Sequence, residues 1–211
     1  MEARTGPGRG ASPPEIDRWV REALAAAGIP PPPPDYTAAV LALLRPSSRG
    51  METLFIRRAE RGTDPWSGQV AFPGGRRDPT DSDSRETALR EAREEVGLEA
   101  STLVSAPYHV TTLRPGNHRE MRVSAYLAVL ANDGQGLAPR SPQEVAEVFW
   151  APLPELQPHP TPPAALRGRW PDYPGFFFQG RWIWGFSARV LSEVWSRIPA
   201  LRLLPPATRG R

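Results

Sequence analysis

The stretch GGRRDPTDSDSRETALREAREEVGL, from Gly74 to Leu98, decides how this chain is read. Asp83 and Glu86 stand three apart, the spacing of a capping box, and Gly97 is placed to end a helix over residues 85–96. At about 100° per residue, Glu91 and Glu95 project within roughly 40° of each other, and Glu94 lies about 60° to the other side of Glu91. Leu89, Ala92 and Val96 form a separate apolar stripe suited to a core. Three carboxylates on one arc repel, and they sit near a helix C-terminus, where the macrodipole disfavours anions. Such paired violations of local preference concentrate at functional sites. A hard divalent cation, Mg²⁺ or Mn²⁺, would relieve both, since it takes carboxylate oxygens and bridges to phosphates. The competing reading is a solvated charged face with pairs such as Arg90–Glu94. The residues just upstream favour the site: Phe72-Pro73-Gly74-Gly75 reads as an apolar strand end followed by a turn that lets backbone carbonyls approach a ligand.

Composition sets the frame around this helix. The chain has 211 residues and is 39% hydrophobic, enough for one medium α/β domain with terminal extensions. No apolar run has the length of a membrane span, and the N-terminus has no apolar stretch after its basic residues, so neither a membrane partner nor export is expected and the cytoplasm is the expected compartment. With no cysteine, disulfides, thiolate metal sites and cysteine nucleophiles are excluded. The net charge is +3, and lysine is absent. The arginines are spread among acids along the whole chain, whereas a nucleic-acid surface would need them gathered on one face. No nucleic-acid partner is expected. A monomer and a homodimer are both open.

Working outward, residues 1–13 are Gly/Pro/Arg-rich and expected to be disordered. Residues 14–28 read as a helix through Ile16, Val20 and Leu24, with Gly28 as the stop, and Pro30 to Pro34 as a polyproline linker. Residues 36–44 and 53–56 read as a hairpin, and 69–72 as a short strand. An antiparallel pair is expected over 103–113 and 121–130, and a strand over 145–150. Residues 157–174 read as proline-rich loop, 181–186 as a strand and 187–198 as a closing helix. Mixed strands and helices without regular alternation argue an α+β fold or an α/β/α sandwich. The expected organisation is a disordered segment 1–13, a helix and linker 14–34, a catalytic domain 35–199 and a flexible tail 200–211.

These residues carry a resemblance. Gly75 to Asp81, followed by Arg90-Glu91-Ala92-Arg93-Glu94-Glu95-Val96-Gly97-Leu98, is similar to the Nudix box, G-x5-E-x7-R-E-U-x-E-E-x-G-U with U apolar. Asp81 stands where the box has Glu, and eight residues rather than seven separate it from Arg90. The resemblance implies an α/β/α sandwich with a mixed sheet, and attack of water on a diphosphate joined to another moiety. By position it implies Glu91 and Glu95 as metal ligands, Glu94 as a third ligand or an activator of water, the Gly75 carbonyl in the metal shell, and Arg90 holding the glutamates. Nudix enzymes often add an acid from a later loop. Glu144 is the candidate here, and a plain surface carboxylate is the alternative.

Outside the box, Arg57-Arg58-Ala59 with Gly68 to Gly75, and the segment Ile183 to Leu191, resemble the coenzyme A diphosphatases of that family. The loop 59–67 is one residue longer than the usual spacing. The substrate this implies is coenzyme A or its thioesters, a small nucleotide-type molecule, cut to phosphopantetheine and 3′,5′-ADP. Arg57, Arg58 and Arg61 could meet phosphates and Trp66 could stack on a base. Surface arginines and a tryptophan packed for stability are the bland alternatives. Trp182, Trp184, Phe186 and Trp195 read as core, and His109 and His118 as structural or exposed. Two other functions stay open: hydrolysis of nucleoside triphosphates, ADP-ribose or dinucleoside polyphosphates, and a binding module without catalysis.

Overall fold

The computed structural model describes residues 6–7, 10–62, 66–116, 118, 120–168 and 170–203. Its centre is built from two strands that read as almost unbroken apolar runs, β1 (Ala38–Ser47) and β6 (Val123–Val129). They pair in parallel from Ala38↔Val123 to Leu44↔Val129. Side chains alternate across a strand, and both faces of this pair are covered. Ala39, Leu41 and Leu43, with Tyr126, Ala128 and Leu130, pack against Ala88, Ala92 and Val96 of helix α2 (Ser84–Val96). Ala42 and Leu44, with Ala125, Leu127 and Val129, share the other core with Ile16, Val20 and Leu24 of α1 (Pro13–Ala26) and Val190, Leu191 and Val194 of α3 (Gly185–Arg197). Continuous hydrophobicity is what a doubly covered strand requires. The result is an α/β/α sandwich on a mixed sheet.

The side of β1 away from β6 positions the site, because the pairing there forks. At one end β1 forms a hairpin with β2 (Gly50–Arg58), paired from Leu44↔Thr53 to Ser47↔Gly50. The strands run further than expected, and the connection shrinks to Ser48-Arg49. Toward the other end β1 and β2 part, and residues 69–76 lie between them. There β3 (Val70–Ala71) pairs with β2 and β4 (Gly74–Arg76) pairs with β1. The Leu41 N–H donating to the Pro73 carbonyl at 2.8 Å, and the Phe72 ring 4.7 Å from Phe55, seat the segment. Gly74 and Gly75 are thus strand residues, not the free turn expected from their composition. On the outer edge of β2 lies β7 (Val145–Pro152), and β5 (Tyr108–Leu113) pairs antiparallel with β6.

A second, three-stranded antiparallel sheet joins β8 (Gln157–His159), β9 (Gly175–Phe178) and β10 (Arg181–Trp184). Part of the segment expected as loop over 157–174 is therefore strand. The β9–β10 hairpin closes through Gln179 and Gly180, both at positive φ. Of the four aromatics expected in the core, Trp182 is fully buried, while Trp184, Phe186 and Trp195 are half-buried. The expected tail starts later than residue 200: a 3-10 turn over Pro199–Leu203 buries Leu201, and 204–211 lie outside the described residues. Most of the segment expected to be disordered, 1–5 and 8–9, also lies outside them. No helix among the described residues is long and apolar enough to cross a membrane.

Candidate functional site

Both ends of α2 are fixed by its own sequence. The Asp83 carboxylate accepts from the N–H groups of Arg85 and Glu86, and Gly97 closes the helix in the left-handed region at φ 76°. Only half of a capping box forms, because the Glu86 carboxylate reaches back one residue further and accepts from the Ser82 N–H at 2.6 Å. The apolar stripe is Ala88, Ala92 and Val96, with Leu89 at its margin. Burying that stripe turns Glu91 and Glu95 toward β4. Glu95 is 4% exposed, and its Oε2 accepts from the Gly74 N–H at 2.8 Å. The Glu91 carboxylate lies directly against Gly75, where a Cβ would stand 2.5–2.6 Å from its atoms. Only glycine leaves room for it. Glu94 faces outward, with its side chain 51% exposed.

Arg90 ties these groups together. Its Nε and Nη2 grip Asp81 Oδ1 and Oδ2, both at 3.0 Å, and Nη2 also donates to the Arg76 carbonyl at 2.9 Å. Its Nη1 donates to Glu91 Oε1 at 3.0 Å and Glu94 Oε2 at 3.1 Å. The shorter side chain of Asp81, reached through one extra residue, meets the fork squarely.

The two kinds of carboxylate sit in opposite fields. The Arg90 guanidinium holds Asp81 down to about 2. Burial pushes Glu95 up to about 8, opposed by the Gly74 N–H and the Arg58 charge, and reinforced by the charges of Glu91 and Glu144. Burial also raises Glu91, against the pull of Arg90. Glu144 is exposed, yet its charge reaches both glutamates. Its loop is fastened to the end of α2 by the Ala138 N–H donating to the Val96 carbonyl and the Arg140 N–H donating to the Glu95 carbonyl at 2.9 Å. The Arg140 guanidinium lies over Gly97, where a cation suits the helix C-terminus.

The other residues singled out in the sequence divide between faces. Arg58 follows the parity of Leu54 and Ile56 toward the α2 face, and its charge acts on Glu95. Arg57 follows Phe55 to the opposite face and bonds Glu147 at 3.1 Å, which Arg181 also holds. Arg57 therefore stands apart from the glutamates. Arg61 is exposed in the loop after β2, its N–H bonded to Ser67 Oγ at 2.7 Å. Residues 63–65 of that loop lie outside the described residues. Trp66 is half-buried, its ring 5.1 Å from that of His118. His109 bonds the Pro30 carbonyl and Thr112. Among the described residues no three acidic or imidazole side chains gather around one point. Glu91, Glu94 and Glu95 are brought to one end of the fork, Glu91 and Glu94 on Arg90 Nη1 and Glu95 on the Gly74 N–H. Sequence reasoning missed Arg140, Thr87 and Tyr36. Of these only Thr87 carries a local signal, a hydroxyl within the first turns of the helix.

The family model described as NUDIX domain matches residues 35–169, more than half of the chain. The chain belongs to the Nudix family. It is accordingly a hydrolase of the diphosphate-cleaving kind. It is 30% identical over 185 residues to an uncharacterized Nudix hydrolase, NudL, of Photorhabdus laumondii, covering 79% of this chain and 89% of that one. It is also 38% identical over 181 residues to the mitochondrial coenzyme A diphosphatase NUDT8 of Homo sapiens, covering 82% of this chain and 71% of the relative. A MutT/nudix family protein from Enterococcus faecalis has the same fold, with a TM-score of 0.52 and 16% identity over 90% of this chain and 75% of the other. Within the Nudix family the chain thus resembles the coenzyme A diphosphatases.

Proposed function

We propose that this Nudix hydrolase cleaves the diphosphate of coenzyme A or its thioesters, giving phosphopantetheine and 3′,5′-ADP, with Mg²⁺ or Mn²⁺ held at the β4–α2 junction. The observation that carries the chemistry is the Glu91 carboxylate lying on the bare Cα of Gly75 beside the buried Glu95. The likeness to coenzyme A diphosphatases along most of the chain supports the substrate.

The residues present fit a hard divalent cation. The donors are all oxygens, and burial raises both Glu91 and Glu95, so a cation that replaces their lost hydration would let both ionise. Glu91, Glu95 and the Gly75 carbonyl would hold it, with Glu94 joining them or taking the proton of the attacking water. The cation would supply Lewis acidity toward the phosphoryl oxygens and offset their charge. The rest belongs to the chain's own groups. Arg90 keeps Glu91 and Glu94 oriented, and Glu144 is the second candidate to accept a proton. Arg58, on the α2 face, meets a phosphate oxygen. Arg61 and Trp66 lie on the loop that faces the remainder of the substrate.

The test is a panel of coenzyme A, acetyl coenzyme A, ATP, ADP-ribose and diadenosine tetraphosphate, each with Mg²⁺ or Mn²⁺ and with products identified by mass spectrometry. Coenzyme A turning over to 3′,5′-ADP faster than the rest is the expected result. No coenzyme A cleavage beside fast cleavage of another member would sink the substrate assignment. Binding without any cleavage would point to a non-catalytic module.

A further inference from the structure

Thr87 sits at the end of the first turn of α2 and is 0% exposed. A threonine there contributes little to the helix, since its hydroxyl competes with the backbone and its branched Cβ loses freedom. Its hydroxyl lies 3.4 Å from the Asp83 carbonyl of its own helix, but a much shorter contact takes its proton. Thr87 Oγ1 donates to Asp81 Oδ2 at 2.7 Å, beside the Asp78 N–H that meets the same oxygen at 2.9 Å. A hydroxyl has one proton to give. The Tyr36 hydroxyl, 3.1 Å from Thr87 Oγ1, must therefore be the donor in that second contact. Tyr36 is itself buried, and the Arg77 guanidinium lies over its ring at 4.9 Å. Arg77 follows Arg76, whose carbonyl accepts from Arg90. The contacts close a circuit from Arg90 through Asp81, Thr87 and Tyr36 back to the end of β4. Every polar group in the circuit has a partner, the condition under which a buried network holds one geometry.

We propose that Thr87 and Tyr36 are positioning residues, a buried hydroxyl relay that holds Asp81 and, through the Arg90 fork, sets how α2 presents Glu91 and Glu94. The relay rests on the metal-binding reading of the site. It acts where the chain departs from its family's box: a shorter acid at position 81 gains, from inside the helix, a donor that fixes one of its oxygens. Without that hydroxyl Asp81 keeps its charge and its pairing with Arg90, but Oδ2 loses its shortest contact and the fork is held less rigidly.

Mn²⁺ binding to the substrate-free protein, followed by the electron paramagnetic resonance of free Mn²⁺, tests this alongside melting temperature. Thr87→Val, which keeps shape and removes the hydroxyl, should weaken Mn²⁺ binding about fivefold to tenfold. Thr87→Ser should restore it to within about twofold, because the donor returns. Tyr36→Phe should give a smaller loss that does not add to that of Thr87→Val, and it carries the test by itself if Thr87→Val does not fold. A lower melting temperature with unchanged Mn²⁺ affinity would make the hydroxyls purely structural and overturn the relay. So would a Thr87→Ser as damaging as Thr87→Val. Wild-type protein that binds no Mn²⁺ would remove the metal site, and the relay with it. Wild-type binding matched by both Thr87→Val and Tyr36→Phe would remove the relay alone.

Discussion

Glu95 is buried at the end of the β1–β2 fork with a single backbone N–H for a partner and another carboxylate beside it. Its pKa of about 8 means that the native protein holds a proton the unfolded chain releases near 4.5. Stability contributed by that proton is fully present below 4.5 and is lost as pH rises through about 8. In the absence of divalent cations the melting temperature should therefore fall across this window, and Glu95→Gln should flatten the fall. Adding Mn²⁺ should reverse it in the wild type and not in the variant. Glu95→Gln should also lose at least about 100-fold in turnover, the scale of removing a group that offsets transition-state charge. Equal rates at saturating metal would show that Glu95 holds no cation. Asp81 runs the other way. Its pKa falls from 3.8 to about 2, so its contribution is fully present above 3.8 and is lost as pH drops through about 2. Asp81→Asn leaves Arg90 without its bidentate partner and should cost about 3 kcal/mol at pH 7, read by urea unfolding. Glu91, Glu94 and Glu95 were legible from spacing, because a helix fixes relative direction, while the role of Arg90 came with the family resemblance. That Glu95 is sealed and Glu94 open was not, since angle about an axis says nothing of what covers each side.

At the scale of elements, the fork between β1 and β2 decides what the glycines do. Gly74 has φ 152°, and a Cβ there would meet the Ala39 carbonyl oxygen at 2.3 Å. That neighbour is backbone and cannot yield. Gly75 has no positive φ, and the three atoms nearest its added Cβ are all at the far end of Glu91. The two substitutions should therefore separate. Gly74→Ala should lower the melting temperature sharply. Gly75→Ala should melt close to the wild type while losing most turnover and Mn²⁺ affinity, because the Glu91 carboxylate is displaced. Similar melting losses in both would mean that β4 and not Glu91 needs the second glycine. The sequence marked this segment as glycine-rich but suggested a turn. Its strand character comes from β1 and β2 parting around it, which no local pattern records. The same holds for Arg57 and Arg58. Alternation places them on opposite faces, and only the packing of Phe149 and Arg181 on one side and α2 on the other says which face holds the site. The β9–β10 hairpin was missed for a local reason: Gln179, not Gly or Asn, takes the positive φ at its turn.

Over the whole molecule the sheet is sealed by α2 on one face and by α1 and α3 on the other. Helix α1, which reads in sequence as a helix before a polyproline linker with its packing open, places Ile16, Val20 and Leu24 in the same core as α3. Its buried Asp17 accepts hydrogen bonds from Ser105 and Tyr108. Ile16→Ala should cost about 3 kcal/mol in urea unfolding, as expected of a fully packed position, with turnover at low temperature unchanged. A loss under about 0.5 kcal/mol would place α1 outside the cooperative unit. The sequence by itself determined the helix of glutamates, its caps, the apolar runs of the central strands and the family, because these are written in residue type at fixed spacing along one segment. The tertiary structure alone decided that Glu95 is buried, that Asp81, Thr87 and Tyr36 stand behind Arg90, and that Gly75 is the floor under Glu91. Those facts depend on which segments meet across 6 to 51 residues of chain, and such contacts follow from how the forked sheet closes rather than from any local period.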